Sequence, residues 1–149
     1  MKRYELKNLI MAGKAASYNA ERKEEYRRLS MRLLREVRKL LGGSAETIDV
    51  RFNPGGIAVC GDATLHADNA YIQISAGSFM FGADSLGILV RAVNSRQDYT
   101  GAGNRYFTFE SLLQYGAQGL AQFAAQVASA DAGQSPRYGK APYSPVLNS

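Results

Sequence analysis

Residues 25–56 read EYRRLSMRLLREVRKLLGGSAETIDVRFNPGG, and two hydrophobic periods meet inside them. Tyr26, Leu29, Leu33, Val37 and Leu40 recur at spacings of three and four, joined by Leu34 and Leu41. That spacing lines one face of an α-helix. Gly42-Gly43 supplies the stop, because glycine readily takes the backbone conformation that ends helices. The period then becomes two. Ile48, Val50 and Phe52 alternate with Asp49 and Arg51, as in a strand with one buried face. Asn53-Pro54-Gly55-Gly56 is turn chemistry. A helix that ends in glycines and runs on into short alternating segments predicts an α+β chain.

Working toward the N-terminus, residues 3–41 read as helix, bent near Gly13 to Asn19. Ala12, Gly13, Ala16, Ser17 and Ala20 form a small-residue patch there. Working toward the C-terminus, Ile57 to Cys60 reads as the hairpin partner of the 48–52 strand. Further strands are expected at Thr64 to His66, Tyr71 to Ser75, Phe79 to Phe81, Leu86 to Val93 and Arg105 to Thr108. Helix resumes at Phe109, with Thr108 as N-cap and Glu110 in the first turn. Leu112, Leu113, Gly116, Leu120, Phe123, Ala124 and Val127 make its buried stripe. After residue 129 the chain turns to Asp, Gly, Gln, Ser and Pro, with Tyr138 and Tyr143. This composition predicts a disordered tail. The expected architecture is one α+β domain over residues 1–129. It comprises a basic helical arm (1–41), an antiparallel meander of five or six strands (47–108) and a helix (109–129) packed on one sheet face. Residues 130–149 form the flexible tail.

Composition bounds the rest. The 149 residues are 46% hydrophobic, enough for one real core. The single cysteine, Cys60, makes no internal disulfide and suits a reducing compartment. Leu9-Ile10-Met11-Ala12 is too short for a signal-peptide core, and no segment reaches the length of a membrane span, so a cytoplasmic protein is expected. The charge is unevenly spread. Residues 1–42 carry twelve Lys or Arg against five Glu, while residues 43–149 carry six against eight, giving +5 overall. A basic arm on a near-neutral body points to a negatively charged partner.

Arg28, Arg32, Arg35 and Lys39 recur at four, three and four, so they share one helix face. Glu24 and Glu25, one turn ahead, would partly neutralise Arg28. Such a stripe suits phosphate contact, and arginine suits bidentate contact best. Tyr4, Tyr18 and Tyr26 interleave with the basic residues, where a ring can stack on a base or enter an interface. A second polar stretch spans Arg96 to Arg105. Gly101 and Gly103 would allow positive φ, Arg96 and Arg105 would clamp an anion, Asp98 would orient them and Tyr99 would stack. The competing reading is a hairpin connection whose Asp98 and Asn104 satisfy backbone amides. The spacing matches neither the Walker loop nor the dinucleotide fingerprint, so no nucleotide cofactor is expected. His66, the lone histidine, has Asp62 and Asp68 nearby as candidate orienters for a general base. No His/Cys cluster accompanies it for a metal site, and no nucleophile motif is visible, so a structural or surface histidine is expected.

Gly61 to Asp68 and Arg96 to Asn104 resemble segments of small uncharacterised proteins of bacteriophages and integrated mobile elements. The resemblance spans residues 48–108. It implies an accessory protein acting in the host cytoplasm and carries over no catalytic residue. The reading is therefore a non-enzymatic accessory protein that binds DNA or RNA through Arg28, Arg32, Arg35 and Lys39, with Arg96, Tyr99 and Arg105 adding local contacts. The alternatives are a factor that docks on an acidic surface of a host protein complex and inhibits it, or a virion or assembly component able to self-associate.

Overall fold

Helix α1 (Arg3–Ala15) and helix α2 (Ala20–Leu40) lie side by side and antiparallel in this computed structural model, which describes residues 1–16, 19–55, 61–75 and 87–134. Asn19 caps α2, its side-chain oxygen accepting from the Arg22 amide at 3.1 Å. That satisfies one of the amides a helix start leaves unpaired. Two cross-helix ion pairs fix the register: the Met1 ammonium with Glu36, and Arg32 with Glu5. Ala12, Gly13 and Ala16 are buried where the helices approach, while Ala20 is exposed and Ser17 lies outside the described residues.

Six strand segments follow: β1 (Asp49–Asn53), β2 (Asp62–His66), β3 (Ala70–Ser75), β4 (Ile88–Ser95), β5 (Asp98–Gly101) and β6 (Arg105–Phe107). They fill five positions across one antiparallel sheet, in the order β1, β2, β3, β4 and then β5 with β6. The last two segments follow each other along the same edge of β4. Ser95 and Val93 pair with Asp98 and Gly101, and Val90 and Ile88 pair with Arg105 and Phe107. The pairing register shifts between Val93 and Ser95, so the ladder of this hairpin is irregular. Arg96, in its turn, reaches back to the Glu46 carbonyl at 2.6 Å, just ahead of β1 at the opposite edge. The sheet is therefore strongly curled at this end.

Strand β1 pairs with β2, with Asn53 opposite Asp62. The expected Ile57 to Cys60 hairpin partner lies outside the described residues, as do the expected strand at residues 79–81 and the tail from 135 onward. The Arg96 to Arg105 stretch is a correction of a different kind: half of it is strand. Gly101 and Gly103 do not adopt positive φ. Gly101 serves close approach instead, since a Cβ there would sit 2.1 Å from the Ala92 carbonyl oxygen.

Helix α3 (Phe109–Ala130) starts at its expected cap, with the Ser111 amide donating to Thr108 Oγ1 at 3.1 Å. Gly116, at φ 67° and ψ −160°, breaks the helix, so it kinks where the sequence showed one continuous stripe. Helices α2 and α3 pack on one face of the sheet, and α1 packs against both of them. Alternation sends Ala63, Leu65, Ile72, Ile74, Ile88, Val90 and Phe107 toward them. These join Leu6, Leu9, Tyr26, Leu33, Leu34, Leu120 and Phe123 in one buried cluster. No helix among the described residues is long and apolar enough to cross a membrane.

Candidate functional site

The apolar stripe of α2 faces the core, so its opposite face is set by the same periodicity. Arg28, Arg32, Arg35 and Lys39 are all exposed on that outer face. Glu24 and Glu25 were expected to partly neutralise Arg28, but their ion pairs are made with other residues. Glu24 binds Arg27 and Glu25 binds Arg22. The Arg27 contact holds the Glu24 carboxyl below its usual range. The first half of α2 thus neutralises itself. In the second half Glu36 is held by the N-terminal ammonium. Arg32 is tied to Glu5, whose carboxyl is pulled below its ordinary value chiefly by the Lys2 amide and also by Arg32. Arg28, Arg35 and Lys39 make no ion pair or hydrogen bond among the described residues. They form a cationic row on the exposed face, and Arg28 also helps to hold the Glu24 carboxyl down.

The tyrosines divide. Tyr26 is fully buried, with its hydroxyl directed at the carbonyls of Ile74 (2.9 Å) and Gly61 (3.1 Å), so it locks α2 to the sheet and cannot stack on a base. Tyr18 lies outside the described residues. Tyr4 is exposed on α1.

Arg96 and Arg105 do not converge. Arg105 sits on the helix-covered face and makes a two-pronged pair with Asp131 at the C-terminus of α3, at 2.8 and 3.0 Å. Both side chains of that pair are largely buried. Arg96 binds the Glu46 carbonyl and approaches Asp49 to 4.0 Å. The Tyr99 side chain lies outside the described residues. Asp98 donates its amide to Ser95 Oγ within the turn.

The other face of the sheet holds a polar row that the sequence did not reveal. Cross-strand register lines up Asp49, His66, Tyr71 and Arg91. His66 meets the Tyr71 ring edge-on at 5.2 Å, and Arg91 lies over the same ring at 5.3 Å. Arg91 donates from Nε and Nη2 to Asn104 Oδ1 at 2.9 and 2.7 Å. His66 Nε2 is 2.9 Å from Thr64 Oγ1, as same-face alternation requires. Its acidic neighbour is Asp49 on the adjacent strand, rather than Asp62 or Asp68 from its own. Burial, helped by Arg51, pushes the His66 imidazole below its ordinary value despite Asp49. His66 and Tyr71 are both buried. The only early sign of this row was the period-two placement of polar residues in 62–66 and 71–75.

Among the described residues no group of three His, Cys, Asp or Glu could hold a metal ion. Comparison with protein-family models, with curated proteins and with solved structures finds no match.

Proposed function

We propose that this chain is a non-enzymatic protein that binds nucleic acid through the outer face of α2. The single observation that carries the reading is the row of Arg28, Arg35 and Lys39, exposed and making no ion pair or hydrogen bond among the described residues. Three exposed cations on one helix face can neutralise phosphates, and binding releases the counterions condensed on the polyanion. Contact of this kind positions a backbone without reading sequence. The Arg96 to Arg105 stretch contributes less than the sequence implied, because Arg105 is committed to Asp131. An accessory role in a phage or integrated element rests on the resemblance alone and belongs to this proposal.

The test is charge reversal. Arg28→Glu with Arg35→Glu removes two exposed cations that touch no core residue, so the circular-dichroism spectrum and Tm should stay near wild type. Binding to labelled DNA and RNA oligonucleotides at low salt should be lost. Normal binding by the folded double variant refutes the reading. A stoichiometric protein captured from nuclease-treated lysate through this face, with no oligonucleotide binding, would put an acidic protein surface in its place.

A further inference from the structure

The surface of α1 beside the cationic row carries two large exposed apolar side chains. Tyr4 is 61% exposed and Met11 is 59% exposed. They are seven residues apart, so they lie two turns from each other on one row of the helix. Next to that row on one side is Glu5, which faces α2 through its pair with Arg32. On the other side are Arg3, Lys7 and Lys14, all exposed. At about 100° per residue, Tyr4 and Met11 fall between these two sets. The apolar row thus has a cationic row on one side and the Glu5–Arg32 pair on the other, with Arg28, Arg35 and Lys39 farther out on α2.

A lone exposed apolar residue is ordinary. An aromatic ring with Arg3, Lys7 and Lys14 on one side and the α2 cations farther out on the other matches what a single-stranded nucleic acid presents, namely charged phosphates alternating with unpaired base faces. A duplex hides those faces in its stack and exposes them only when a side chain forces the base pairs apart. We infer that the α1–α2 surface takes single-stranded nucleic acid in preference to duplex, with Tyr4 stacking on a base while Arg28, Arg35 and Lys39 hold phosphates. This rests on the α2 reading above and adds the ligand's strandedness and the residue that senses it. Tyr26, the other described tyrosine of the arm, is buried, so Tyr4 carries the stacking.

The experiment is fluorescence anisotropy of the full chain with oligothymidylate, oligouridylate and a mixed-sequence duplex of equal length, for wild type, Tyr4→Ala and Tyr4→Phe. Wild type should bind both single strands more tightly than the duplex. Tyr4→Ala should weaken single-strand binding by roughly five- to a hundredfold, leave duplex binding unchanged, and keep the same salt slope. Tyr4→Phe should restore wild-type behaviour, since the ring is what stacks. A difference between the two single strands would say whether RNA or DNA is preferred. Equal affinity for duplex and single strand, or a Tyr4→Ala variant indistinguishable from wild type, overturns the stacking inference while the α2 reading stands. Absence of binding to all three probes overturns both. Displacement of the strand by polyglutamate at equal charge concentration would mark an acidic-protein surface and also overturn the inference.

Discussion

At the scale of single residues, three positions show how burial reassigns roles that composition leaves open. Tyr26 looks like an arm residue but is a core bolt, with its hydroxyl against two strand-side carbonyls. Tyr26→Phe should lower stability by about 1 kcal/mol, read as a shift in denaturation midpoint, and leave oligonucleotide affinity unchanged. Gly101 looks like loop flexibility but is a contact point. Gly101→Ala should lower Tm, because β4 and β5 must separate to admit a methyl group. His66 is held neutral chiefly by burial. Its folded-state pKa lies below the unfolded value, so the unfolded chain takes up the proton first as pH falls. Stability is full above about pH 6.5 and declines below it until the folded histidine also titrates. Thermal melts between about pH 7.5 and 5.5 should show that decline, and His66→Gln should flatten it. A wild-type Tm that does not fall across this window would contradict the assignment. The depressed carboxyls of Glu5, Glu24 and Asp49 act lower, contributing above about pH 4.5 and fading as pH falls further.

At the scale of elements, the helices were legible and the edges of the sheet were not. The 3.6-residue period of α2, its glycine stop and the Thr108 cap of α3 are local signals, and local signals survive folding. The partner of β1 was not legible, because pairing is a long-range choice. In the sequence Ile57 to Cys60 reads as that partner and lies outside the described residues, while the described partner is Asp62 to His66. The alternation in the latter places Ala63 and Leu65 under the helices and leaves Thr64 and His66 on the far face. The kink in α3 was hidden because Gly116 falls on the apolar stripe and reads as packing. Its left-handed backbone means that Gly116→Ala should destabilise by about 1 kcal/mol, although the site has room for a methyl group. The Arg105–Asp131 pair joins β6 to the end of α3, and neither residue announced its partner. Asp131→Ala takes the paired carboxylate away from a largely buried arginine and should cost about 3 kcal/mol, measured by urea denaturation.

At the scale of the whole molecule, charge and packing are separated in space. One core cluster unites α1, α2, the sheet and α3, and the unpaired cations of α2 stand on the side away from it. The candidate interface was partly legible, since the Arg28, Arg32, Arg35 and Lys39 spacing follows from helix geometry alone. Which of those cations remain unpaired was not, because it depends on Glu24 and Glu25 choosing Arg27 and Arg22, and on α1 folding back to bring Glu5 to Arg32. The central claim is that this row contacts phosphates. Its most direct test is the affinity of the wild-type chain for a labelled oligonucleotide across a salt series. Three or four phosphate contacts predict a log–log slope of roughly −2 to −3 for a single strand. A slope near zero, or no binding at the lowest salt, would contradict it.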